Sequence, residues 1–438
     1  RANMAGLAAL VEFAGTSADF HVAYCNMNEG VQRRLAATGL DRGLHVHKTA
    51  SDALKSDYFK RASLRLTTAV ILCNKQAKTD NSVFKSISIP MLDVLGQPLI
   101  QRIKNQLSDY GMQDIIANPG HLGDQIDDHF RKPDLVANTL RFANEGARFN
   151  GEWVSERLGS AGSLQRIQQR QSAFQSDFLV LAGNTLTGLD FDALMAFHQE
   201  QHADVTIAQN PPESYGAFKR HWRRAAASRT SENPIEIDTT KSARSSLSDG
   251  YAYVFSPRVL EMAAIQSNWN IKTDFLPALA ATDAKICGYI KSSPSIEITS
   301  PYDYARELNS LLSSPFKQDA LLGVGKSSPL ISEHATVSNK AWVSAQSFVG
   351  SGAKIGSGVE ILGTCVIGAG AEIAGPSVLE NCVVFGGARI EPGFWAHGMT
   401  IHRDWSFNHD IEKGVGLTIP SELPTVPDTI AFPMQKSA

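Results

Sequence analysis

Lys75 and Lys78 are the first residues whose type and place could do chemistry. They follow an almost wholly apolar or β-favouring run, LTTAVILC (66–73). Where a parallel sheet binds ligands beyond the carboxyl ends of its strands, two cations there could meet phosphate. The plainer alternative is a pair of solvated loop lysines. A second cationic stretch, KRHWRRAAASR (219–229), holds five Lys or Arg residues beside His221 and Trp222. It reads either as a solvated loop extending to about Ser248 or as a patch for phosphate or an acidic partner. The five cysteines, Cys25, Cys73, Cys287, Cys365 and Cys382, are scattered and form no CxxC pair. They predict neither a disulfide framework nor a zinc knuckle, and point to a reducing, cytoplasmic setting.

The bulk numbers bound these readings. A chain of 438 residues exceeds one core, and domain sizes of about 100–200 residues predict two to four domains. A net charge of −3 with 19% charged residues gives no bulk signal for a nucleic-acid or membrane partner. No run of about 18 apolar residues is present, so no membrane span is expected. The opening RANMAGLAALVEF lacks the regions of a signal peptide and reads as a helix.

Residues 1–62 alternate helical and strand patterns: a helix over 5–14, a strand at 20–25, a helix over Glu29–Leu40, a strand at Gly43–Lys48 and a helix from Ala50. Two strands are too few to close a sheet, so upstream strands or another partner are expected to complete it. The stretches NMAGLAAL (3–10) and VQRRLAATGLDRGLHVHKTASDAL (31–54) resemble the second half of a STAS domain. Met4 stands in the segment where phosphorylated members of that family carry a serine. The resemblance therefore implies docking or dimerisation without a phosphoswitch.

From Leu66 to about 312, strand and helix patterns alternate. Strands are expected at 66–73, 114–118, 178–181 and 205–208, and helices at 98–110, 122–130 and 191–202. Such alternation predicts a doubly wound α/β domain with a largely parallel sheet. Ligands would then sit near 73–80, 118–121, 182–187 and the turn at Gly250.

The segments PMLDVLGQPLI (90–100), NPGHLGDQIDDHF (118–130), ERLGSAG (156–162), FLVLAGNTLTGLDFDALMAFH (178–198), DGYAYVFSP (249–257) and SIEITSPYDYARELN (295–309) resemble the sugar nucleotidyltransferase, or NDP-sugar pyrophosphorylase, family. That resemblance implies a Mg²⁺-assisted reaction of an NTP with a sugar 1-phosphate. It places nucleotide and sugar contacts at Gly120, Glu156, Gly159, Gly162, Gly183 and Gly250. Metal contacts fall at Asn184, where the family has an aspartate, and at Glu297. The family's glycine-rich GGxGTRL loop is replaced by Asn74-Lys75-Gln76-Ala77-Lys78-Thr79-Asp80, and the lysine of its PKPM-like motif by Ile89. Phosphoryl and nucleotidyl transfer rest on charge neutralisation, and Asn184 supplies an oxygen but no charge. The expected function is a catalytically degenerate scaffold, regulator or sensor of nucleotide or sugar phosphate. The competing expectation is an active enzyme with Asn184 and Glu297 on Mg²⁺ and Lys75 or Lys78 on phosphate.

Residues 315–328 read as a linker, ending the α/β domain at about 312. From Ile331 every sixth residue is aliphatic: Val337, Val343, Val349, Ile355, Ile361, Ile367, Ile373 and Leu379, followed by Phe385. Small residues such as Ala335, Ser347, Ala353, Cys365 and Ala371 follow at fixed offset. This predicts a three-sided coil over 329–404, and the family resemblance implies a left-handed parallel β-helix (hexapeptide repeat). Acyltransferases on such coils use a histidine. Here His334 lies at the start and His397, His402 and His409 at or beyond the end, which favours assembly or capping, including self-association. Phe394 and Trp395, with Trp405 and Phe407 from the C-terminal tail (405–438), are expected to cover the last coil, and four prolines follow Gly416.

Overall fold

The structure, a computed structural model, describes residues 22–38, 44–54, 56, 63–74, 86–131, 140–209, 235–236, 250–290, 294–322 and 330–409. The STAS-like stretch 3–10, Lys75 and Lys78, the basic segment 219–229 and most of the tail lie outside them.

The described part of the N-terminal module is a β-α-β unit followed by the short helix Ala50–Leu54. Strands Ala23–Cys25 and His45–His47 pair in parallel and are joined through helix Glu29–Thr38. Its core is small, built on Leu35 and Leu44 with Val31 and Val46 against them.

The α/β domain is organised on an eight-stranded mixed sheet. Strand Thr68–Cys73 lies between Phe178–Ala182 and Asp114–Pro119, parallel to both, and Leu140–Phe142 adds a parallel edge strand. Gly250–Phe255 runs antiparallel between Phe178–Ala182 and Val205–Gln209. Ile286–Ile290 follows, parallel to Val205–Gln209, and Ile235–Glu236 closes that side antiparallel. The reversed strand brings Gly250 to the carboxyl ends of its parallel neighbours. Alternation along Thr68–Cys73 sends Ala69, Ile71 and Cys73 into one core and Val70 and Leu72 into another, one on each face of the sheet. Helix Leu99–Asp109 covers the first face with Leu99, Ile103 and Leu107, spaced four apart on one side. Helix Gly159–Gln171 covers the second with Leu164 and Ile167. Leu66, expected inside the first strand, is outside it and 91% exposed.

The segment expected as a linker is instead partly helical. Pro301–Ser313 is followed by a second helix, Pro315–Leu322, in which Leu321 is buried and Gln318 donates to the Leu312 carbonyl at 2.8 Å. Proline at the first helical position is compatible with a helix start, which the flanking Ser313, Ser314, Gly323 and Gly325 mask.

Beyond it, short parallel strands stack in three sheets. Leu330 pairs with Phe348, Thr336 with Lys354, and Trp342 with Glu360, each partner lying one 18-residue coil further on. These are the three faces of a parallel β-helix. Val349, Ile355, Ile361, Ile367, Ile373 and Leu379 fill its interior, with Ala353, Cys365 and Ala371 also buried. The last coil departs from the hexad. Val366 pairs with Val383 and Ile367 with Val384, a step of 17. Val384, not Phe385, is therefore the inward residue. The corner Leu362-Gly363-Thr364-Cys365-Val366 is shortened by one residue at Glu380-Asn381-Cys382-Val383. Asn381, at φ 53°, accepts from the Thr364 N–H at 3.0 Å through its Oδ1 and so ties the two corners together.

Each face has its own chemistry. Phe348, Val366 and Val383 share a core with the α/β domain. Lys354, Glu372 and Arg389 form a charged ladder on the second face. The third carries the exposed Trp342 and Trp395. Strand Ser406–Asn408 pairs antiparallel with Met399–Ile401 and so covers the end of the first face, as expected for Trp405 and Phe407, but the two side chains do more than cap the coil. They join the core shared with the α/β domain, with Phe407 edge-on to Tyr302 at 4.9 Å.

Candidate functional site

The carboxyl ends of the parallel strands are held together by polar side chains. Asn74 follows strand Thr68–Cys73, and strand Asp114–Pro119 carries Asn118 one residue before its end. Asn118 Oδ1 accepts from the Cys73 N–H at 2.9 Å, and its amide Nδ2 donates to Glu145 Oε1. Asn74 Nδ2 reaches the same Oε1 at 3.3 Å and Ser163 Oγ at 3.0 Å. The Ser163 hydroxyl touches Oε1 as well, and has one proton to give either to it or to the Gly159 carbonyl 2.6 Å away. Three neighbours thus converge on one oxygen of a carboxyl that is 3% exposed. Burial pushes the Glu145 pKa up to about 7, against the opposing pull of these hydrogen bonds and of Arg166. The adjoining Cys73 thiol is pushed far up by its own burial and by Glu145, so it is no nucleophile.

Gly120 stands against this network, where a Cβ would come within 2.9 Å of the Asn74 Cα. Its carbonyl accepts from Trp153 Nε1 at 2.6 Å. Trp153 belongs to the hairpin Gly146–Phe149 and Glu152–Ser155, whose strands are antiparallel. Gly159 opens the helix at φ +65°, and a Cβ there would run into the Trp269 carbonyl, so only glycine fits. Gly162 lies one turn on and is buried, with ordinary room around it. Glu156 is bound by Arg166, which holds its carboxyl below the usual range. Gly183 donates its N–H to the Leu72 carbonyl at 2.8 Å, an approach that a side chain would block.

Asn184 and Glu297 are brought together across 113 residues of sequence. Strand Thr185–Thr187 pairs antiparallel with Ser295–Glu297. Asn184 Nδ2 donates to the Ile298 carbonyl at 2.9 Å and lies 3.4 Å from Glu297 Oε1. Its Oδ1 is buried without a partner. Turning the amide over would set that oxygen against two acceptors, so the hydrogen bonds fix its orientation. Mg²⁺ requires oxygen ligands in near-octahedral array, whereas an N–H donor faces the carboxylate here. No group of three His, Cys, Asp or Glu suited to a metal occurs among the described residues. As arranged, the pair presents one carboxylate and an amide N–H, so the Asn184 oxygen would have to turn toward the ion to serve as a ligand.

Sequence reasoning does not single out Glu145, Asn74, Asn118 or Ser163. The readable signal is Glu145 itself, a carboxylate between a strand and a glycine just ahead of the ERLGSAG segment.

The Nucleotidyl transferase family model matches residues 83–290. The UTP--glucose-1-phosphate uridylyltransferase of Synechocystis is 24% identical over 332 residues, 74% of this chain and 84% of that protein. The mannose-1-phosphate guanylyltransferase of Mycobacterium tuberculosis is 23% identical over 329 residues, 74% and 81% of the two chains. Among solved structures, HddC from Yersinia pseudotuberculosis complexed with GMP-PN is 20% identical, with 56% of this chain and 99% of that one covered and a TM-score of 0.41. The chain carries a nucleotidyl transferase domain, and its relatives are sugar-1-phosphate nucleotidyltransferases.

Proposed function

We propose that this chain binds a nucleotide or a sugar phosphate without joining them. It serves as a regulatory or scaffolding subunit in sugar-nucleotide or surface-polysaccharide metabolism, with its β-helix as the assembly element. The observation that carries this reading is the Asn184 amide turned toward Glu297. The amide does locally what a cation would do, giving a donor to the carboxylate. Transfer of a nucleotidyl group needs charge on the metal and on the phosphates, and a neutral donor supplies none. The replacement of GGxGTRL by a loop without glycines, Asn74 to Asp80, supports the same reading.

Incubation with each NTP, a panel of sugar 1-phosphates and Mg²⁺ should release no pyrophosphate above background. Sustained release that Asn184→Ala abolishes would overturn the proposal in favour of an active Mg²⁺-dependent nucleotidyltransferase. A second measurement needs no turnover. The melting temperature of the parent should not respond to millimolar Mg²⁺. Asn184→Asp sets a second carboxylate beside Glu297 and should cost about 2 kcal/mol, most of it recovered on adding Mg²⁺.

A further inference from the structure

The faces of the coil differ in how their outward charges are met. On the second face Glu372 stands between Lys354 and Arg389 in register and is bound by both. On the third face Trp342, Glu360, Val378 and Trp395 are successive partners in register. Their neighbours Val343, Ile361, Leu379 and Ala396 belong to the coil interior, so this column points outward. A second outward column, Leu362, Glu380 and His397, runs beside it. There His397 Nδ1 donates to Glu380 Oε2 at 3.1 Å. Glu360 makes no hydrogen bond or ion pair among the described residues. Trp342 and Trp395 are 65% and 42% exposed, and neither indole has a hydrogen bond or ring contact there. The two columns hold no lysine or arginine. Lys340, at the corner before Trp342, forms no ion pair among the described residues.

This column is built to receive a cation from outside the coil. Adjacent strands lie about 4.8 Å apart, so a cation on the Trp342 indole has the Glu360 carboxylate at its edge. Tryptophan offers a cation the best aromatic face. Guanidinium stacks on such a face while donating in its own plane to a carboxylate, which a compact ammonium does less well. An apolar partner would instead cover Glu360 without a counter-charge, a costly arrangement. The chain itself carries a segment of matching charge. KRHWRRAAASR (219–229), outside the described residues, places Lys219, Arg220, Arg223, Arg224 and Arg229 in eleven positions without an Asp or Glu.

We propose that the third face of the β-helix docks the cationic segment 219–229 of a second copy of this chain. Arginine side chains of that segment lie on Trp342 and pair with Glu360, and Trp395 extends the contact three strands further along the face. Two copies that exchange segments in this way close as a two-fold dimer. The proposal rests on the assembly role given to the coil and not on the loss of turnover.

Sedimentation of the full chain over micromolar concentrations, at low and at high salt, tests it. The parent should dimerise, and more weakly as salt rises. Glu360→Lys should raise the dimer Kd at least about tenfold, and so should Arg223→Glu with Arg224→Glu. Combining all three substitutions should recover most of the loss, which a merely structural effect would not do. Trp342→Ala keeps the charge and should raise Kd about two- to fivefold. Trp342 and Glu360 bond to nothing in the described fold, so unchanged melting temperatures of their variants exclude unfolding as the cause. A parent that stays monomeric throughout would overturn the proposal. So would a dimer that Glu360→Lys leaves unchanged, or a combined variant that recovers nothing. Weakening by Glu360→Lys without any effect of the two arginine substitutions would assign the face to another occupant and overturn it too. Pyrophosphate release by the parent would overturn the regulatory reading alone, because association is read without turnover.

Discussion

Glu145→Gln should stabilise the protein at pH 8 by up to about 3 kcal/mol and flatten its stability between pH 5 and 8. The folded carboxyl holds its proton up to about pH 7, whereas an unperturbed carboxyl loses it near 4.5. Between these values the folded state keeps a proton that the unfolded state has released. Stability contributed by the group therefore falls as pH rises from about 4.5, and the loss is complete above about 7. Glutamine fits because the neighbours converge on Oε1 alone. Its carbonyl can accept as Oε1 does, while its amide nitrogen takes the place of Oε2, the oxygen left for the proton. Asp204 and Asp303 act in the opposite sense at lower pH. Arg258 holds the first below the usual carboxylate range, and hydrogen bonds from Thr299 and Ser300 outweigh burial at the second. Their contributions are lost as pH falls, in parent and variant alike. Urea unfolding at pH 5, 6, 7 and 8 reads the difference directly. Parallel curves for parent and variant across that range would show that Glu145 is ionised in the fold without cost.

The parts legible in the sequence are those set by local period. A hexad of aliphatic residues fixes which side chains enter a coil, so the period alone places Val349 to Leu379 inside. It does not place the slip to Val384, which depends on one corner losing a residue and on Asn381 accepting the left-handed backbone that this requires. The same limit appears at the site. Family resemblance pairs Asn184 with Glu297 across 113 residues, and the strands Thr185–Thr187 and Ser295–Glu297 do bring them together. The direction of the Asn184 amide is not legible, because the Ile298 backbone carbonyl decides it. Glu145 is obscured for a related reason. Its burial and its raised pKa depend on Asn74, Asn118 and Ser163, which come from three separate segments. A carboxylate between a strand and a hairpin otherwise reads as an exposed turn residue. The helix Pro315–Leu322 escapes a reading by composition because Ser313, Ser314 and Pro315 open the stretch and Gly323, Gly325, Ser327 and Ser328 close it, although its proline sits where a helix tolerates it.

Phe348→Ala should cost about 3–5 kcal/mol and divide thermal unfolding into two transitions. Phe348 points outward from the β-helix, yet it is only 8% exposed because the α/β domain covers it. Gly96 lies so near that a Cβ there would come within 3.2 Å of the Phe348 Cζ. Val366, Val383, Trp405 and Phe407 continue the same core, and Tyr304 stacks obliquely on Phe385 at 5.3 Å. The coil interior, built on Ile355, Ile361 and Ile367, forms a separate core that the substitution does not touch. Truncation therefore removes coupling between two bodies rather than the stability of either, and neighbouring coils continue to support one another. Scanning calorimetry should show one main transition in the parent and a resolved pair in the variant. Ile367→Ala, inside the coil, should instead lower the β-helix transition by a comparable amount. Lys354→Ala on the charged ladder should change stability by less than about 1 kcal/mol. If Phe348→Ala leaves a single transition of unchanged sharpness, the α/β domain and the β-helix do not depend on this face for their coupling. The assembly role proposed for the coil would then rest on the Trp342 and Trp395 face alone.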